Sequence, residues 1–274
     1  MAKRTDDRTV LERNELLNEA IRFAVEAHAG QLRKGSDMPY VVHAMEVLSI
    51  LAAISGDIEL LMAGVLHDCI EDGLLPDGNG GMRPVTRADI AEKFGERTAD
   101  LVAAHSEDKD MSWEERKTLA LQELEAADDD LQNLILADKL SNMRAIARDF
   151  KAVGDELWKR FHAPREKQSW YYSESIDAMD RRQYDEKAAP FFWELNELYK
   201  DVFVEFYYDP AAERVLQKAT HEDFCHAFER GECIWYEASL DFLKDTIPVS
   251  RALTERLEDN WTEELMDVSL GPVN

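Results

Sequence analysis

Three cysteines in 274 residues, Cys69, Cys225 and Cys233, are odd in number and lack metal-finger spacing, so no disulfide framework is indicated. A reducing cytoplasm fits that usage best. No run approaches the roughly 18 apolar residues that span a bilayer, and the N-terminal text MAKRTDDRTV has no apolar signal core, so a soluble protein with no membrane partner is expected. Positive charge is scarce as well: 32 Lys and Arg stand against 57 Asp and Glu, a formal net charge of -25. Such a surface repels phosphate backbones at long range, so no long nucleic acid is expected as a partner. A small phosphorylated ligand is still compatible with a locally basic or metal-bearing site. Exact repeats, low-complexity tracts and convincing alternating strands are also lacking.

What is present is helical periodicity and enough apolar residues, 45%, to bury a sizeable core. Leu16, Ala20, Phe23, Ala24 and Ala27 share a helix face that ends at Gly30, and Pro39 opens the next helix, buried through Met45, Leu48, Leu51 and Ala52. Thr86 with Asp89 and Ser112 with Glu115 have capping-box spacing, and residues 131–150 read as one long helix. LLPDGNGGMRP reads as an exposed loop. Beyond Pro190 the text turns aromatic and acidic, and DPAAERVLQKA and THEDFCHAFERG read as short helices separated by Asp209-Pro210 and Gly231. The expected fold is all-α: a helical bundle over residues 1–185 with an acidic helical extension over 186–274. The extension serves either as packing or as a homo-oligomer contact, and the residues leave both open.

The densest chemistry lies in LLMAGVLHDCIEDG, residues 60–73, which reads as one helix. His67 sits over Glu71 and Asp68 over Asp72, in two rows one turn apart. The apolar run before His67 implies that the His-Asp pair begins inside the protein, where carboxylates need a cation or hydrogen bonds. His43 and Asp138 lie on two further helices, each in an apolar setting. Two imidazoles and two carboxylates form a mixed nitrogen and oxygen set suited to Mn²⁺, Fe²⁺ or Zn²⁺. On spacing alone, a metal site and a set of hydrogen-bonded structural histidines both stand.

The ordered text HAGQLRKGSDMPYVVH, GVLHDCIEDG and LADKLSNMRAI resembles the HD-domain hydrolases of the RelA/SpoT type, including stand-alone small alarmone hydrolases, over residues 20–150. The resemblance implies a helical HD fold holding one divalent ion, usually Mn²⁺, through His43, His67, Asp68 and Asp138. It assigns Glu71 and Asp72 to the attacking water, and Arg33, Lys34 and Asn142 to a phosphorylated purine nucleotide. His28 is expected to be structural or to support the ligands from behind rather than to be one, and Lys139 and Arg144 to lie on a solvated helix face. The implied reaction is hydrolysis of the 3′-pyrophosphate of ppGpp or pppGpp to GDP or GTP and pyrophosphate. Two departures fall near the ligand: Ala44 replaces a frequent Pro, and Ala145 replaces a frequent hydroxyl residue, which bears on sugar recognition. An adenosine alarmone or another phosphorylated nucleoside is the alternative substrate, and a non-catalytic HD-fold regulatory protein the alternative class. HEDFCH does not match a zincin helix, because its second His comes five residues after the first rather than four. DGNGG follows no nucleotide-binding strand.

Overall fold

The structure is a computed structural model describing residues 7–181, 184–230 and 232–269. Part of the N-terminal stretch read for a signal core, and the separator Gly231, lie outside the described residues. The chain divides into two compact units, Met1–Arg160 with Glu174–Asn196, and Phe161–Ser173 with Glu197–Asn274.

The first unit begins with α1 (Val10–Ala27), whose Thr9 hydroxyl accepts from the Glu12 amide while the Glu12 carboxylate accepts from the Thr9 amide. The loop after α1 folds back on itself through Arg33 N to Met38 O at 2.9 Å and Tyr40 N to Gln31 O at 2.9 Å. It leads into α2 (Val41–Ile54). Asp57 then caps α3 (Ile58–Leu66), which is buried on every side and packs against α1 and α2. Leu60, Met62 and Leu66 have no exposed surface, so truncating any one to Ala costs about 2–5 kcal/mol.

The single helix expected over residues 60–73 is in fact two. At Asp68 the backbone takes φ −94° and ψ 0°, between helical and extended geometry, and α4 (Cys69–Asp72) is one separate turn. The glycine-rich segment that follows is a hairpin rather than only a loop. Its strands β1 (Leu74–Pro76) and β2 (Met82–Pro84) are antiparallel, with Leu75 opposite Arg83. Next come α5 (Arg87–Phe94), α6 (Glu96–His105), α7 (Trp113–Ala126) and α8 (Asp129–Val153). The capping boxes expected at Thr86/Asp89 and Ser112/Glu115 are both formed. Helix α8 packs against α2, α3 and α6. The next two helices, α9 (Arg165–Asp180) and α10 (Ala189–Phe203), contribute residues to both units.

The fold is not all-α. The second unit carries a five-stranded antiparallel sheet of β3 (Val204–Asp209), β4 (Arg214–Ala219), β5 (Cys225–Glu229), β6 (Trp235–Ala238) and β7 (Ile247–Val249), in spatial order β6-β5-β4-β3-β7. The two segments expected to be short helices after Pro190 contain β4 and β5. Asp209 makes a hairpin turn, its carboxylate accepting from the amides of Ala211 and Ala212 at 3.0 and 3.1 Å. Both faces of this sheet are covered, which accounts for the misreading. Leu216, Cys225 and Ala227 pack with Phe242 and Leu243, while Val215 and Phe228 pack with Trp261 of α11 (Arg251–Ser269). Two buried faces erase the alternation that marks a half-buried strand. No described helix is long and apolar enough to cross a membrane.

Candidate metal centre

Three helices of the first unit converge on one point. His43 lies in the first turn of α2, Asp138 lies mid-way along α8, and His67 and Asp68 form the break between α3 and α4. His43 Nε2 is 3.2 Å from His67 Nε2 and 3.1 Å from Asp138 Oδ1, and His67 Nε2 is 2.9 Å from Asp68 Oδ2. His43 and His67 are 3% and 0% exposed, so these groups meet away from bulk water. On a continuous helix, successive side chains diverge by about 100°. The turn at Asp68 lets His67 and Asp68 meet.

The remaining ring nitrogens fix the tautomers. His67 Nδ1 lies 2.9 Å from the Gly64 carbonyl, an obligate acceptor, and therefore carries the proton. His43 Nδ1 lies 2.8 Å from Ser141 Oγ, whose own hydrogen is donated to Glu46 Oε2 at 2.9 Å. Ser141 can then only accept from His43, so Nδ1 is again the protonated nitrogen. In their neutral forms both Nε2 atoms thus present lone pairs to each other and to two carboxylates. Four electron-pair donors facing one another at this spacing repel unless a proton or a metal cation lies among them, and a bound metal ion takes the place of the proton. The mixed imidazole and carboxylate set suits a divalent transition ion.

Charge shifts report the same crowding. Burial opposes a charge on His67, but the Asp68 and Asp138 carboxylates outweigh it and raise its pKa well above the ordinary value. Burial likewise works against Asp68 and Asp138, yet the neighbouring imidazoles hold both below the usual carboxylate range. Tyr40 donates its hydroxyl hydrogen to Asp68 Oδ2, and burial followed by that carboxylate raises the phenol far above its ordinary value.

Around this point, Asn142 donates to Asp138 Oδ1 at 2.7 Å and accepts from Arg33 Nη2 at 2.9 Å. The Arg33 guanidinium lies 5.8 Å from the centroid of the Tyr40 ring. Lys34 is exposed on the same loop. Glu71 is half-buried, and its carboxyl is pushed up to about 7, first by burial and then by Asp68, Glu107 and Asp72, with Lys109 opposing. Asp72 is exposed and ion-paired with Lys109. His28 bonds to Gln31 at 2.8 Å and lies 3.6 Å from the buried Cys69 thiol.

The expectation of a solvated face for Lys139 and Arg144 fails. Lys139 is 5% exposed, and burial followed by Lys117 lowers its pKa to about 7. Arg144 bridges Glu46 at 3.1 Å and, with two bonds of 2.6 and 2.7 Å, Glu194.

Sequence reasoning missed Tyr40, Glu46, His105, Lys109 and Ser141. His105 closes α6 in the apolar text LVAAH, the one signal by which the sequence marks it, and is half-buried. Its Nε2 lies 3.6 Å from Asp138 Oδ2, and its ring centroid 5.3 Å from that of His67. In the second unit, His221 Nδ1 bonds to Ser169 Oγ at 2.9 Å, and His226 lies on β5 with Nδ1 3.8 Å from Glu222.

Comparison with known proteins bears on the same residues. The chain is 32% identical over 136 residues to the bifunctional (p)ppGpp synthase/hydrolase SpoT of Escherichia coli K12, covering 47% of this chain and 18% of that protein. The chain thus spans only a small part of this long relative. It is 32% identical over 146 residues to the guanosine-3′,5′-bis(diphosphate) 3′-pyrophosphohydrolase MESH1 of Xenopus tropicalis, covering 52% of this chain and 74% of that one. Among solved structures, lmo0812 from Listeria monocytogenes EGD-e aligns with a TM-score of 0.50 at 33% identity, over 58% of this chain and 96% of that one. A metazoan ortholog of SpoT aligns with a TM-score of 0.53 at 24% identity, over 72% and 97%, and supports the fold. The family model described as HD domain matches residues 20–167 and so takes in every residue of the centre. On that match over more than half of its length, the chain belongs to the HD domain family.

Proposed function

We propose that this chain is a metal-dependent hydrolase of the 3′-pyrophosphate of ppGpp or pppGpp, releasing pyrophosphate and GDP or GTP. The observation that carries the proposal is the set of tautomer-fixed lone pairs of His43 and His67 facing Asp68 and Asp138. The names of the relatives supply the substrate class. These four side chains would hold one divalent ion, for which Mn²⁺ is our choice. When bound, such an ion acidifies water and polarises a phosphoryl oxygen.

The chain's own groups do the rest. In the reaction, water oxygen bonds to the phosphorus on O3′, the P–O3′ bond breaks, and O3′ acquires a proton. Glu71, one turn beyond His67 in sequence, has its carboxyl pushed up to about 7, a value suited to taking a proton from the attacking water. Asp72 positions Lys109, whose ammonium meets a phosphate oxygen. Arg33, held by Asn142 beside Tyr40, presents a guanidinium plane for a purine, and Lys34 adds positive charge on the same loop.

The deciding experiment incubates the purified chain and Asp68→Ala with Mn²⁺ and a panel of guanosine and adenosine 3′-diphosphates, with products resolved chromatographically. Release of pyrophosphate from guanosine alarmones by the unaltered chain but not by Asp68→Ala is expected. Equal turnover in the two proteins refutes the assignment, and turnover confined to adenosine nucleotides moves it to that substrate.

A further inference from the structure

We propose that His105 is a fifth protein ligand of the divalent ion, so that the centre is built from three imidazoles and two carboxylates. This rests on the metal-centre reading above and adds a ligand that the motif residues do not include.

Two overlapping groups of donor atoms lie close enough to share an ion: His43, His67 and Asp68, and His67, His105 and Asp138, each with all its donors within 4.8 Å of one another. They have His67 in common, and His67 has one lone pair to give, because its Nδ1 is committed to the Gly64 carbonyl. The two groups therefore cannot be two independent sites that both use His67. They describe one ion approached from two sides. With bonds of about 2.1 Å, adjacent donors stand about 3.0–3.5 Å apart and opposed donors about 4.2 Å apart. His105 Nε2 to Asp138 Oδ2 at 3.6 Å lies between those two spacings, close to the roughly 3.6 Å of two donors 120° apart in a five-coordinate centre.

The setting of His105 fits a ligand better than a hydrogen-bonded structural histidine. Its side chain is 14% exposed, yet its ring nitrogens have no hydrogen-bond partner among the described residues. Asp138 Oδ2, at 3.6 Å from Nε2, lies beyond hydrogen-bonding distance. Asp138 presents its two oxygens to different neighbours: Oδ1 toward His43 and His67, Oδ2 toward His105. The carboxylate thus ties the two triads together. A third imidazole has a chemical consequence, because nitrogen-rich sites favour Zn²⁺, Fe²⁺ or Co²⁺ over Mn²⁺ more than oxygen-rich ones do.

The test is a count of nitrogens. The full chain, labelled with ¹⁵N-histidine, is loaded with Mn²⁺ and studied by pulsed electron paramagnetic resonance, in which directly bound imidazole nitrogens are resolved by their hyperfine couplings. Three bound nitrogens are expected in the unaltered protein and two in His105→Gln. By calorimetry, the same substitution is expected to weaken Zn²⁺ binding by at least about 10-fold, with a smaller loss for Mn²⁺. Two nitrogens in the unaltered protein overturn the proposal while leaving the four-residue centre intact, including where His105→Gln weakens binding from outside the coordination sphere. Failure of the unaltered protein to bind Mn²⁺ or Zn²⁺ overturns the centre itself. The count on the unaltered protein decides the matter even where a substitution impairs folding.

Discussion

Ser141 is the cheapest place to test how the centre is held. It is 1% exposed and makes two bonds in series, accepting from His43 Nδ1 at 2.8 Å and donating to Glu46 Oε2 at 2.9 Å. Ser141→Ala leaves a buried imidazole N–H without an acceptor, which costs about 1–3 kcal/mol. In the metal-free protein, His43 can shift its proton or tilt and recover part of that cost. In the metal-bound protein, Nε2 must keep its lone pair on the ion, so the penalty falls on binding. The part of the cost recovered in the metal-free protein is the part lost from binding, so affinity is expected to fall by about 10- to 100-fold, as is usual for outer hydrogen-bond partners of a ligating histidine. The assay is calorimetric titration with Mn²⁺ alongside thermal denaturation of the metal-free protein. Ser141→Thr, which keeps the hydroxyl, should bind nearly as tightly as the parent. A folded Ser141→Ala protein with metal affinity within twofold of the parent would refute the reasoning.

Two further outcomes follow from side chains around the centre. If Glu71 is the proton acceptor, kcat rises with pH as its carboxyl ionises, with a limb at about 7 that a cation beside Asp68 moves lower. Glu71→Gln should retain metal but lose about 10²- to 10⁴-fold in kcat, and the limb with it; an unchanged pH profile in that variant counts against the role. Away from the site, Asp89 accepts from the Thr86 amide and, through both oxygens, from Arg83 at 2.6 and 2.8 Å. These bonds hold its carboxyl below the ordinary value of 3.8, Arg83 being the largest cause. The stabilisation is therefore present above that pH and is lost as pH falls through the lower folded value. Asp89→Asn should cost about 1 kcal/mol in urea denaturation at neutral pH, with the difference closing in strong acid.

The convergence of the candidate ligands was legible because they sit in short texts whose spacing survives folding. His43, His67, Asp68 and Asp138 meet as the three texts suggested, and Asn142 and Arg33 join them through Asp138. The helix break was not legible, since a run as apolar as LLMAGVL gives no sign that the backbone turns at Asp68. Glu46 and Ser141 look unremarkable in sequence, and His105 is marked only by its apolar text, because their roles arise only where α2, α6 and α8 come together. The five-stranded sheet was lost for a different reason. Val215 beside Leu216 and Ala227 beside Phe228 are neighbours buried on opposite faces, and that pairing imitates a helical stripe.

Gly64 draws these threads into one residue. As the third residue from the end of α3, its carbonyl belongs to the last turn and has no partner within the helix. His67 Nδ1 takes that carbonyl at 2.9 Å, so the end of the helix itself sets the tautomer that turns Nε2 toward Asp68. The missing side chain matters equally. A Cβ at position 64 would overlap Leu51 Cδ1 and meet Val47 Cγ1 at 3.7 Å, which are the contacts that let α2 approach α3. Gly64→Ala must turn the buried Leu51 side chain, push α2 outward or rotate α3, at a cost of about 1–3 kcal/mol for overpacking, offset in part by up to about 1 kcal/mol from the better helix propensity of Ala. With Leu51 locked in the core between α2 and α3, a shift of either helix is the expected response, and it widens the 3.2 Å separation between the two imidazoles. Metal affinity should therefore fall by more than the loss of stability alone implies, and Leu51→Ala in the same chain should restore part of it by making room for the added methyl. A Gly64→Ala protein that binds Mn²⁺ as tightly as the parent would show that the close approach of α2 and α3 does not set the spacing of the two histidines.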